Sequence, residues 1–134
     1  MKKFFMHKTF LSLGAIFGGI AVALGAFGAH GLKKIVSTDV VSVFQTGVQY
    51  QMYHTLALLI VAIVYDRFPN KWIRSSGYLF SSGILFFSGS LYLITALKAD
   101  ERSIPALIGA ITPIGGLLFI LGWLSFLIGL FKKS

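Results

Sequence analysis

Phe44-Gln45-Thr46-Gly47-Val48-Gln49-Tyr50-Gln51-Met52-Tyr53-His54 runs without a break into Thr55-Leu56-Ala57-Leu58-Leu59-Ile60-Val61-Ala62-Ile63-Val64-Tyr65. Read as one helix, its second half is oily enough for lipid, while its first half carries three glutamines and a histidine that lipid rejects. Other parts of the protein must shield those groups. At about 100° per residue, Gln45, Gln49, Met52 and Leu56 share one side. Gly47, Tyr50, Gln51, His54 and Val61 lie broadly on the other, so polar groups face at least two directions.

The rest of the chain sets the class. Its 134 residues make one domain by length, 56% of them hydrophobic and only 12% charged. The four acids and twelve bases can all be placed outside four long apolar runs. That is the pattern of an all-α integral membrane four-helix bundle, one domain over residues 1–134 with spans at about 9–30, 42–65, 77–97 and 104–130. The net charge of +8 comes from the termini and short connections. Such flanks are expected of a membrane chain, and no basic helix interleaved with stacking aromatics points to nucleic acid. Lys2, Lys3, Lys8, Arg67, Lys71, Arg74, Lys132 and Lys133 fall on one side of the membrane, against Lys33, Lys34, Lys98 and Arg102 on the other. Both termini are therefore expected to be cytoplasmic. Cysteine is absent, which removes disulfides, thiol catalysis and thiolate metal sites.

The first span follows a basic lead and imitates a signal peptide. Its apolar run exceeds a usual h-region, and three more spans follow, so it is read as a retained helix. Gly14 with Gly18, Ala15 with Gly19, Gly19 with Ala23 and Gly25 with Ala29 are four residues apart, which predicts a flat strip for close helix packing. Gly31 is a candidate C-terminal cap. His30, in the last turn, is read as a capping or interfacial residue, with a proton-transfer or ligand role as the alternative.

Ser37-Thr38-Asp39 supplies N-cap candidates for the second helix. His54 is the most deeply placed ionisable group. Either it hydrogen-bonds a neighbouring helix and specifies packing, or it relays protons, or it binds a ligand. His30 and His54 without a third ligand fall short of a zinc pattern. Residues 66–76 read as a basic turn broken at Pro69-Asn70, with Trp72 at headgroup level. Ser81, Ser88, Tyr92 and Thr95 give the third span a hydroxylated stripe. In the fourth span Thr112-Pro113-Ile114-Gly115-Gly116 predicts a kink or local unwinding at Pro113, Gly115 and Gly116, and Trp123 with the terminal lysines anchors its exit.

Gly25-Ala26-Phe27-Gly28-Ala29-His30-Gly31-Leu32, the Phe44–His54 stretch, residues 80–92, and Thr112–Gly116 with Gly122-Trp123 carry a resemblance. Through them the chain resembles the domain of unknown function 423 family, the YgdD/YwdK-like small four-span membrane proteins. The resemblance implies a multi-pass protein of the bacterial inner membrane with no assigned activity. Because the matching segments hold the intramembrane polar groups, they are expected to converge on one polar pocket lined by His30, Gln45, Gln49, Tyr50, His54, Ser88 and Tyr92.

Three function classes follow. The first is a non-enzymatic membrane protein acting by helix association, as a homo-oligomer or an accessory to another membrane protein. The second is a small oligomeric transporter or channel with a polar pocket around His54. Asp39, Asp66, Asp100 and Glu101 all sit at ends or loops, so proton coupling would fall to histidine, whose ordinary pKa of about 6.5 suits it. The third, a membrane enzyme, lacks a visible catalytic constellation. No cofactor or metal is called for, and the expected partners are the lipid bilayer and other membrane-embedded chains.

Overall fold

In lipid, a run of apolar residues can satisfy its backbone only as a helix or a closed barrel. All four runs here are helical. The computed structural model describes residues 6–132, so Lys2, Lys3 and Lys133 of the base count lie outside the described residues. Helix α1 covers Lys8–His30 and leads through a 3-10 turn at Leu32–Lys34 into α2, Thr38–Val64. The third span is α3 (Lys71–Gly83), a π-helical segment (Ile84–Ser88) and α4 (Gly89–Ala99); α5 (Ala106–Phe131) is the fourth. Each of the four is long and apolar enough to cross a membrane.

The second and third spans form the centre of the bundle. α1 packs along α2 and α5 along α3, so the first and fourth spans are the outer helices. His7 N–H donates to Ala62 O at 3.1 Å, and Asn70 Nδ2 donates to Gly129 O at 2.8 Å. The start of α1, the 65–70 turn and the end of α5 therefore meet at one end of the bundle.

Small residues set both outer interfaces. On α1, Gly14, Gly18, Gly25 and Gly28 face α2; a Cβ on them would approach Leu59, Thr55, Val48 and Gln45. Ala21 is buried in the same line, whereas Ala15, Gly19 and Ala23 are exposed. The strip steps by four and three rather than by fours, because nearly parallel helices meet every 3.5 residues. On α5, Gly122 sits against Phe80 and Gly129 against Ile73, while a Cβ on Gly115 would collide with the backbone N and Cα of Phe87. Gly115, Gly122 and Gly129 are seven apart, and so are Phe87, Phe80 and Ile73 running the other way. Phe80 and Ile73 are knobs in holes opened by a glycine, while at Gly115 the two backbones themselves come close.

Several local expectations change. Lys71–Arg74 is the first turn of α3 and not part of a loop, because Asn70 caps it: Oδ1 accepts from Trp72 N–H and Ile73 N–H. Ser37 stands at the N-cap of α2, but its side chain makes no capping bond. Gly31 has φ −74° and ψ −49°, so the chain passes into the 3-10 turn without a left-handed cap. α5 continues as helix through Thr112–Gly116, so this stretch is not unwound. The irregular turn lies opposite, at Ile84–Ser88, where Gly115 lets the two backbones meet.

Candidate functional site

The residue at the middle of the decisive stretch that is most deeply engaged is Gln51, 2% exposed. Its Nε2 donates to Phe17 O of α1 at 2.8 Å, and its Oε1 accepts from the Tyr92 hydroxyl of α4 at 2.7 Å. One turn away, the Ser88 hydroxyl donates to Gly47 O at 2.7 Å. Three spans are thus tied by side-chain amide and hydroxyl groups, each with a partner, where hydrocarbon would offer none.

His54 lies one turn further along the same face and makes a second link. Its Nδ1 is 2.8 Å from Tyr50 O, and its Nε2 is 3.1 Å from Trp123 Nε1 of α5. A carbonyl can only accept and an indole N–H can only donate. The ring is consequently the neutral tautomer with hydrogen on Nδ1, donating to Tyr50 and accepting from Trp123. It stacks on Phe119 with centroids 3.5 Å apart and planes 9° from parallel, and Phe80 closes the group from α3.

These aromatics wall a cleft of about 550 Å³ between α2 and α5. Tyr50 and His54 form one side, Phe87 of the π segment the floor, and Pro113, Gly116, Leu117, Ile120 and Trp123 the other side. The lining comes from the interiors of the candidate membrane spans. Ser90 Oγ donates to Phe87 O at 2.8 Å and accepts from Thr112 Oγ1 at 2.7 Å, holding the floor against α5.

The expected pocket residues thus divide into separate places. His54 and Tyr50 line the aromatic cleft, and Ser88 and Tyr92 belong to the interhelical network around Gln51. His30 is exposed at the end of α1, Gln45 lies against Gly28, and Gln49 is on the outer face of α2. Pro113 and Gly116, where the sequence predicts a kink, line the cleft, and Gly115 meets the Phe87 backbone of the third span. Sequence reading missed Gln51, Phe87, Phe119 and Trp123. For Gln51 the signal was present: Gly47, Gln51, His54, Leu58 and Val61, all buried, step by four and three. For Trp123 there was none, since its partner is 69 residues away. Among the described residues no three His, Cys, Asp or Glu side chains gather as a metal site.

Residues 24–116 match a family model described as a protein of unknown function, DUF423. The UPF0382 membrane protein YwdK of Bacillus subtilis is 41% identical over 93% of this chain and 98% of its own length. UPF0382 membrane proteins of Haemophilus influenzae and Staphylococcus saprophyticus are each 46% identical, over 96% and 93% of this chain and 98% of each relative. No solved structure matches.

Proposed function

We propose that this chain, which belongs to the DUF423 family of membrane proteins, works without catalysis as an accessory component of the bilayer that seats an apolar group in its lateral aromatic cleft. The single observation behind this reading is the state of His54. Both ring nitrogens are held by Tyr50 and Trp123, so the one titratable group on the cleft wall other than the Tyr50 phenol has no free lone pair or N–H to offer a substrate. The remaining lining is largely aromatic and aliphatic, which suits an acyl chain or a hydrophobic amine and supplies no nucleophile. The base count supports an orientation with both termini cytoplasmic.

The test is thermal unfolding of the purified protein in detergent with long-chain lipids and hydrophobic amines added, comparing wild type with Gly116→Leu. A Cβ at Gly116 would meet only the Phe87 ring, at 3.8 Å, so leucine there fills the cleft at little cost to the fold. Ligands that stabilise wild type and not Gly116→Leu support the reading; equal shifts, or none, overturn it. A second reading, an oligomeric transporter with its pocket at His54, is favoured by the cleft's size. It predicts solute-dependent flux in liposomes that Gly116→Leu abolishes.

A further inference from the structure

The outer face of α2 carries a stripe that the cleft does not use. Thr46, Gln49, Tyr53, Leu56 and Ile60 follow one another in steps of three and four. Tyr53, Leu56 and Ile60 are each more than half exposed, and Gln49 is exposed with them. Of these, Gln49 is out of place. It sits near the midpoint of the 27-residue helix, at least about 16 Å along the axis from either end. Its neighbours Gly47 and Gln51 bond to the middle parts of the first and third spans. Its amide has no hydrogen-bond partner among the described residues, and at this depth lipid tails supply none.

We propose that two copies of this chain pair in parallel through α2, about a two-fold axis along the membrane normal, with the Gln49 amides hydrogen-bonded to each other. Identical chains inserted in the same orientation bring Gln49 to the same depth, so the polar groups meet without a second sequence having to match them. An amide is both donor and acceptor, so two of them satisfy each other reciprocally across a two-fold axis. The stripe from Thr46 to Ile60 has no ionised group to repel its copy, and its alternating steps suit a left-handed helix pair in which one polar position fixes register. The pairing goes beyond the cleft reading and stands without it.

The chain has no cysteine, so single cysteines report contacts directly. In native membranes, Thr46→Cys and Tyr53→Cys are expected to form disulfide dimers on mild oxidation. Leu93→Cys and Leu127→Cys, on exposed faces of α4 and α5, are not. Adding Gln49→Leu to Thr46→Cys removes no hydrogen bond among the described residues, so it is expected to leave folding intact and to weaken pairing roughly three- to tenfold. Equal cross-linking at all four positions, no dimer at positions 46 and 53, a different protein attached there, or pairing indifferent to Gln49→Leu would each overturn the proposal.

Discussion

Trp123 Nε1 donates to His54 Nε2 at 3.1 Å, joining α5 to α2 beside the stack of His54 on Phe119. A buried acceptor loses more when its donor is removed than when both partners are replaced together. Trp123→Phe alone should therefore destabilise the protein by about 1–2 kcal/mol. His54→Leu combined with Trp123→Phe should cost less than the two changes added together, with a coupling of about 0.6–1.7 kcal/mol. Denaturant or thermal unfolding in detergent checks this, and additive losses would mean that the bond contributes nothing.

The glycines of α5 should differ according to what stands opposite them. Gly115 faces backbone, which cannot give way, whereas Gly122 faces the ring of Phe80. Gly115→Ala should cost about 2–3 kcal/mol and Gly122→Ala about 1–2 kcal/mol, within the usual range for overpacking. Gly109 has nothing within 4 Å of a Cβ. Gly109→Ala should leave the unfolding midpoint unchanged or raise it, by up to about 1 kcal/mol of helix propensity.

Asn70 does two jobs that can be separated by side-chain length. Serine keeps an oxygen for Trp72 and Ile73 N–H but cannot reach Gly129 O; alanine does neither. Asn70→Ser should cost about 1 kcal/mol and Asn70→Ala about 2 kcal/mol. Proteolysis near the end of α5 should increase in both. If serine behaves like wild type, the tie to Gly129 has no energetic weight.

Thr55 is buried between Gly14 and Gly18 of α1, and its hydroxyl has no hydrogen-bond partner among the described residues. Valine has nearly the same shape without the unsatisfied group. Thr55→Val should raise stability by about 1 kcal/mol, while Thr55→Ala, which also loses the packed methyl, should not. A lower midpoint for Thr55→Val would show that the hydroxyl is bonded in the membrane.

Features written along a single helix were legible in the sequence. The four spans and the shielded polar stretch follow from length and hydropathy, and the small-residue face of α1 only in part, since Ala15, Gly19 and Ala23 lie off it. What depends on two helices at once was not. The spacing puts Gln49 and Gln51 on different sides of α2, but that Gln51 bonds Phe17 and Tyr92 is decided by the positions of α1 and α4. Proline at 113 drew the expected irregularity to α5. The helix continues through it, while the extra residue of the π turn lies in the third span, where no single residue type announces it.

That turn has a consequence for how this sequence can change length. An α-helix that takes up one additional residue in a wider turn absorbs an insertion locally, where a regular helix would rotate everything beyond it by about 100°. Before the turn, Ile73 and Phe80 point at α5; Ser88 at its end and Tyr92 beyond it point at α2. A single-residue gap between relatives can be absorbed at positions 84–88 without disturbing Ile73 and Phe80. The same gap within 115–129 would put every later glycine out of step with its partner, so the spacing of those glycines is as constrained as their identity.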